Sequence, residues 1–392
     1  MLYGNSTRHL RSMANACADS SLGSNTLSLD LSTDWDNSTV IFNETPKPDA
    51  APFLNKGALW YYQPDDILYT GWVGDSAVYL PDIASPPRLS LWAFKPDQKG
   101  SGSWSLTIGP DSDKWRGIAM PRQASVAQSG ELGFALGGEY PGADGILSLT
   151  EFNLDTREST NITSPLAYGI PIEQGNLQFV DKWGPKGLLL ALNGAHKDGP
   201  WWDANSVPVY DIAAHQWYNQ TTNGPSPGSA VDSCVAGIAS NNNTFEIFVY
   251  SGSVGYGDVY QKRNEIHILT LPAFHWIELP YKAVHPRAGH SCDPVGGGQI
   301  LIVGGTDPTV DETETVGLDQ MTEPDVFKQG LAVFNMSSLE WQDHYSASPP
   351  NYEQADEVKQ YYMQTGRYVY LHLPPSNANQ LVCQILRKHF AS

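Results

Sequence analysis

Positive charge is scarce in this 392-residue chain, where 23 Lys and Arg stand against 42 Asp and Glu for a net charge of −19. Nucleic acid is excluded as a partner, because a phosphate backbone needs a basic footprint, and anionic membrane surfaces are disfavoured on the same ground. No stretch approaches 18 consecutive apolar residues, so no membrane-spanning helix is expected, and Met1-Leu2-Tyr3-Gly4 lacks the basic start and apolar run of a signal peptide. Cysteine is also sparse. Cys17, Cys234, Cys292 and Cys383 include no C-x-x-C pair of the kind a zinc or redox site uses. There is no G-x-S-x-G elbow, no H-E-x-x-H helix and no Walker loop. "GSVGYGDVYQ" is glycine-rich but runs from a strand into a loop, which excludes a dinucleotide site. No cofactor and no metal are expected.

What is present is 36 Gly, 28 Pro, 11% aromatics and 41% hydrophobic residues, the balance of a large, loop-rich, mostly β protein. Asn-x-Ser/Thr sequons fall at Asn5, Asn37, Asn43, Asn161, Asn219, Asn242 and Asn335. Chance placement would give roughly three, so the excess points to N-glycans and to secretion or the secretory lumen. An even cysteine count in such a chain suggests two disulfides. With no signal peptide ahead of it, the sequence reads as a mature form behind an added initiator Met.

"QILIVGG" (299–305) is one copy of a recurring form. "GFALGG", "GLLLALNGA", "IFVYSGS" and "DILYTGWVG" are likewise short apolar strands closed by glycine or a small polar residue. Downstream of each comes an apolar-aromatic strand, a turn and usually a Trp: "LWAFKPDQKGSGSW", "LTEFNLDTRES", "VPVYDIAAHQW", "IHILTLPAFHW" and "LAVFNMSSLEW". "LSLDLSTDW" near the N-terminus is a sixth copy. Taking Leu29, Phe94, Phe152, Tyr210, Leu269 and Phe334 as equivalent, the intervals are 65, 58, 58, 59 and 65 residues. A fixed period of this size means one supersecondary unit repeated, and a four-stranded unit buries both faces only by packing between copies around an axis.

The glycine-ended second strand with its following aromatic and Trp resembles the kelch repeat, over roughly residues 20 to 345. Ser251-Gly252 and Leu192-Asn193-Gly194 depart from a strict Gly-Gly pair. The resemblance implies one all-β domain over 1–392, a six-bladed propeller in which the N- and C-terminal segments jointly complete the last blade. Its innermost strand is expected within 366–373 or 380–386, and "NYEQADEVKQYYMQ" has the spacing of a short helix leading to it. Cys234 and Cys292 hold matching places on consecutive innermost strands and are expected to pair, leaving Cys17 to Cys383.

Loops joining second to third strands emerge on one face of such a ring and are long here, at 73–89, 139–147, 195–206, 253–264 and 306–329. Long loops on a rigid scaffold are where binding resides. Trp72, Tyr140, Trp201, Trp202, Tyr256 and Tyr260 are the candidate ligand-binding residues, with loop-on-loop packing as their alternative role. Arg122, His196 and Arg287 are the candidate polar partners. Gln123, Asp232, His285 and His290 stand beside innermost strands on the same face, and bridging between blades is the alternative role for Arg287 and His290. The chain is similar to fungal secretory-pathway kelch proteins, some soluble members of which are hetero-Diels-Alderases of tropolone sesquiterpenoid pathways. That resemblance implies a small apolar, polyketide- or terpenoid-like ligand and a cofactor-free cycloaddition. A carbohydrate-binding or adhesive propeller is the alternative, and the oligomeric state is open.

Overall fold

The computed structural model describes residues 25–51, 54–55, 57–71, 75–76, 90–115, 121–138, 148–163, 173–195, 204–250, 252–254, 261–263, 265–280, 286–305 and 325–365. Five antiparallel four-stranded sheets follow one another, each a simple meander. Blade 1 comprises Trp60–Tyr62, Ile67–Thr70, Leu91–Pro96 and Gly102–Ile108. Blade 2 comprises Ser125–Ser129, Leu132–Leu136, Ser148–Asn153 and Glu158–Thr163, and blade 3 Asn176–Val180, Leu188–Leu192, Ser206–Asp211 and Gln216–Thr221. Blade 4 comprises Cys234–Ala239, Phe245–Tyr250, Ile266–Leu271 and His275–Glu278, and blade 5 Ser291–Gly296, Gln299–Val303, Leu331–Asn335 and Glu340–Gln342. From blade 2 to blade 5, first strands of neighbouring blades lie against one another, which sets them nearest the axis.

The repeat has a packing cause. Phe94, Tyr210, Leu269 and Phe334 of the third strands pair directly across the sheet with Trp104, Trp217, Trp276 and Trp341 of the fourth. Ring centroids lie 5.3 Å apart in blade 1, 5.1 Å in blade 3 and 5.2 Å in blade 5. Such cross-strand pairs hold the outer half of blades 1, 3, 4 and 5, whereas in blade 2 Phe152 faces Ser159. Tight outer hairpins follow from Asn and Asp. Asn153 Oδ1 accepts from the amides of Asp155 and Thr156, Asp211 Oδ1 from Ala213 and Ala214, and Asn335 Oδ1 from Ser337 and Ser338. Each side chain thereby closes a turn in place of a backbone group. The cores are sandwiched between blades: Phe152 and Trp60 between blades 1 and 2, Tyr210 and Phe134 between 2 and 3, Leu190 and Ile247 between 3 and 4, and Phe248 and Phe334 between 4 and 5.

Six blades were expected, and five stand among the described residues. The N-terminal copy has the hydrophobic pattern of a third strand but different partners. Among the described residues Asn25–Ser28 pairs with Asn43–Pro46 alone, and Trp35–Asp36 pairs with His344–Tyr345 beyond blade 5. The segment divides itself between the two ends of the ring. Toward blade 1, Ser28 Oγ donates to the Gly100 carbonyl at 2.5 Å and Trp104 Nε1 to Thr26 Oγ1 at 2.9 Å. Toward blade 5, Tyr345 Oη donates to the Leu31 carbonyl at 3.0 Å, while Leu29 and Leu31 pack on Leu301, Val303 and Val333. Residues 25–46 are thus a clasp joining blade 5 to blade 1. The two stretches expected to supply an innermost closing strand, 366–373 and 380–386, lie outside the described residues. The expected helix forms over Asp356–Thr365, with Val358 and Tyr362 buried against blades 4 and 5.

Candidate ligand face of the propeller

On the long-loop face, the chain enters the innermost strands of blades 2 to 5 through a residue with left-handed backbone: Gln123 (φ 55°), Gln174 (φ 55°), Asp232 (φ 56°) and Gly289 (φ 70°). These four are stitched into a belt across blades 2 to 5. The Gln174 amide donates to the Gln123 carbonyl at 2.9 Å, Asp232 to Gln174 at 3.1 Å, and Gly289 to Asp232 at 2.9 Å. Side chains meet along it as well, with Gln174 Nε2 3.4 Å from Asp232 Oδ2. A left-handed non-glycine residue costs conformational energy and persists where its surroundings over-determine it.

The belt also explains the diglycines. Gly138 (φ +89°) lies so close to the entry strand that a Cβ would come 2.5 Å from the Arg122 carbonyl, and Gly252 (φ +99°) faces the Val231 carbonyl at 2.6 Å. Blade 3 places Asn193 where blades 2 and 5 have the first glycine, with φ 60°, and its Nδ2 donates to Ser233 Oγ at 2.7 Å. Asn tolerates this backbone better than most residues, so the departure from Gly-Gly carries its own compensation.

Arg122 sits half-buried at the belt. Arg287 is only 3% exposed. Its guanidinium donates to the Gly304 carbonyl at 2.5 Å and to Asp325 Oδ2 at 2.9 Å, pairs a second time with Asp325 Oδ1, and lies 4.2 Å from the Phe327 ring centre. These side-chain contacts all lie within blade 5 and commit the charge to the fold, while the link to blade 4 is made by the backbone, the Arg287 carbonyl accepting from the Gly252 amide at 2.8 Å. His290 is also buried, with its imidazole held neutral: burial first, then the Arg287 charge, push its pKa down to about 3, and a weaker pull from the Tyr250 backbone opposes them. His196, Trp72, Tyr140, Trp201, Trp202, Tyr256, Tyr260 and His285 lie outside the described residues, as do Cys17, Cys383 and Asn5.

The expected Cys234–Cys292 disulfide is present, with Cα atoms 5.6 Å apart. Among the sequons, Asn43, Asn161, Asn219 and Asn242 are exposed and Asn335 is half-buried. Asn37 is 7% exposed and spends its Nδ2, the atom a glycan would occupy, on the Leu331 carbonyl at 2.8 Å. In this fold Asn37 is a structural residue.

One polar group was not singled out from the sequence. Between blades 3 and 4, beside the belt, Arg263, Glu265 and His267 line a small cleft with Asn193, Pro227, Ala230 and Val249. Burial lowers the Arg263 pKa against the opposing Glu265 charge, and burial, with Arg263, takes His267 down to about 4, again against Glu265. The signal lay in "RNEIHIL", where charged and polar residues recur at every second position entering a buried strand.

No family model matches the chain. A kelch repeat-containing protein of Arthroderma benhamiae is 26% identical over 378 residues, covering 84% of this chain and 53% of that protein. The chain therefore spans about half the length of this curated relative. The solved structure of YjhT aligns with a TM-score of 0.53 at 13% identity, over 74% of this chain and 86% of that one, a likeness of fold alone. These findings support a kelch β-propeller. In this propeller the repeat glycines serve the belt and the repeat tryptophans the outer sheet, so both halves of the motif have a mechanical role.

Proposed function

We propose that this kelch propeller binds a small organic molecule at the long-loop mouth, as a single domain that works in the secretory lumen or outside the cell. The observation that supports it is the belt: Gln123, Gln174 and Asp232 bring two carboxamides and a carboxylate to one rim, beside Arg122, on backbone fixed by three interblade hydrogen bonds. Preorganised polar groups on a rigid rim are the hallmark of a ligand site. The buried disulfide and the exposed sequons support the compartment.

The finer reading is a cofactor-free cycloaddition of the hetero-Diels-Alder type on a polyketide- or terpenoid-like substrate. Such a reaction needs no nucleophile. It needs two reacting π-systems held in a near-attack arrangement, where orientation contributes several kcal/mol, and a donor to polarise a carbonyl. Arg122 and the carboxamide nitrogens of Gln123 and Gln174 have the chemistry of that donor, with His196 as a further candidate and Trp72, Tyr140, Trp201, Trp202, Tyr256 and Tyr260 as the apolar walls. A second reading, carbohydrate binding, is favoured by one contact: Gln174 beside Asp232 offers a donor and an acceptor side by side, the complement of neighbouring sugar hydroxyls.

The test is a double one on the same preparation: turnover of heterodiene and alkene pairs, and a glycan array. Asp232→Asn and Gln174→Leu should abolish glycan binding if the second reading holds. Arg122→Met should lower cycloaddition at least tenfold if the first does. Wild-type protein that is inert in both assays overturns the proposal.

A further inference from the structure

Cys234 opens the innermost strand of blade 4, Cys292 is the second residue of that of blade 5, and a disulfide joins them. His290, two residues before Cys292, turns toward the same point. One ring nitrogen of His290 and the two sulfurs all lie within 4.8 Å of one another. His290 is 6% exposed; neither ring nitrogen makes a hydrogen bond of normal geometry, and the Tyr250 backbone offers one of them only a weak pull, so at least one nitrogen is left without a partner. The Tyr250 ring stands edge-on to it at 5.0 Å and limits its rotation. A buried polar group without a partner costs about 1 to 3 kcal/mol, and disulfide sulfur is too weak an acceptor to offset that. The imidazole is therefore unexplained by packing in the oxidised protein.

We propose that Cys234, Cys292 and His290 are the ligands of a zinc-class cation site that forms when the disulfide is reduced. A dithiol or phosphine reductant supplies two electrons to the S–S bond, which breaks. Each Sγ takes one electron and one proton, and the reductant becomes its disulfide or, with water as the oxygen and proton source, its phosphine oxide. A divalent cation then displaces the two thiol protons. Two thiolates and a neutral imidazole are a soft set suited to Zn²⁺, with a fourth position left for water. The two thiolate charges cancel those of the ion, so the buried site carries no net charge, and the ion occupies the lone pair that His290 otherwise leaves unused. Arg287 beside it is paired with Asp325, which offsets part of its charge toward the ion. The propeller would then exchange one link between blades 4 and 5 for another according to redox state.

The experiment uses the full chain, oxidised or treated with tris(2-carboxyethyl)phosphine, and titrates Co²⁺ as a spectroscopic stand-in for Zn²⁺. Circular dichroism follows the fold in parallel. The expected result is a near-ultraviolet thiolate-to-cobalt band with one ion per chain in the reduced protein and none in the oxidised. His290→Phe keeps a ring in the same space and removes the ring nitrogens, so it should fold at least as well while binding Co²⁺ tenfold or more weakly. Cys234→Ser should lose the band. Four outcomes overturn the proposal: a reduced, folded chain with no band; a band that survives Cys234→Ser and so belongs to Cys17 and Cys383; a band unchanged by His290→Phe; and a chain that unfolds on reduction and is not refolded by the ion.

Discussion

Tyr352 Oη donates to Glu246 Oε2 at 3.2 Å, joining the segment before the C-terminal helix to a fully buried carboxyl in the second strand of blade 4. Thr270 Oγ1 and Gln354 Nε2 donate to the other oxygen at 3.2 and 3.1 Å, and Tyr362 of the helix meets Thr270 at 3.1 Å. Burial raises the Glu246 pKa, although these hydrogen bonds oppose it. A carboxyl whose folded pKa lies above its unfolded value is bound to its proton more tightly in the fold. Its contribution is complete below the unfolded pKa and is lost as pH rises through the folded one. Glu246→Gln removes that loss.

The expected outcome is a wild-type stability advantage over Glu246→Gln that shrinks between pH 5 and pH 8, at no more than about 1.4 kcal/mol per pH unit. Urea unfolding of both proteins at the two pH values measures it. His267 and His290, whose pKa values are lowered, act with the opposite sign: they cost stability as pH falls below the ordinary histidine value. They are common to both proteins and cancel in the difference. A difference that is flat with pH would mean that the carboxyl keeps an ordinary affinity for its proton.

Ring closure by the clasp has its own test. Tyr345 is 2% exposed, stacks on Trp35 at 5.2 Å, and donates its hydroxyl to the Leu31 carbonyl. Tyr345→Phe keeps the stack and leaves that carbonyl without its partner, which should cost about 1 to 2 kcal/mol. Chemical denaturation should show a lower midpoint with an unchanged denaturant slope. If the midpoint does not move, the clasp contributes little to closing the ring.

The repeat was legible because its cause is local. Phe94, Tyr210, Leu269 and Phe334 each need a tryptophan directly opposite, and a fixed hairpin length delivers it. The blade count was not, because the copy at Leu29 carries the hydrophobic pattern of a strand while pairing is decided by partners elsewhere in the chain. Leu29 packs on blade 5, and the strand just before it pairs with Asn43–Pro46. The belt was half visible: Gln123 and Asp232 stood out as polar residues ahead of apolar strands, whereas nothing in its residue type marks Gln174 as left-handed. Nothing near Arg287 in the sequence shows that its guanidinium is buried, because the partners that hold it, Asp325 and Phe327, come far along the chain.

The belt makes two glycine substitutions unequal. Gly252 and Gly130 both have left-handed backbone, at φ +99° and +56°. A Cβ at Gly252 would meet the Val231 carbonyl at 2.6 Å, whereas at Gly130 nothing lies within 4 Å. Gly130→Ala should therefore cost about 1 kcal/mol, the backbone term alone. Gly252→Ala adds a clash with main chain that cannot move without breaking the belt, and should cost at least about 2 kcal/mol more. Thermal midpoints of the two variants decide it, and equal shifts would show that the belt yields to a methyl group.

The last prediction separates the two roles weighed for Arg287. If its guanidinium served a ligand, Arg287→Met would leave stability intact and abolish binding. The contacts favour the opposite. The side chain is 4% exposed, while that of Asp325 is 29% exposed, so removing the cation leaves a carboxylate that is only partly solvated and two diglycine carbonyls short of a donor. Breaking a fully buried pair costs about 3 to 5 kcal/mol, and the partial exposure of Asp325 puts the expected loss at about 2 to 3. Arg287→Met with Asp325→Asn should recover part of it, because the double variant leaves no unpaired charge. A double-mutant cycle by urea unfolding gives the coupling. Additive losses, or a single variant as stable as wild type, would return Arg287 to the list of residues that meet the ligand.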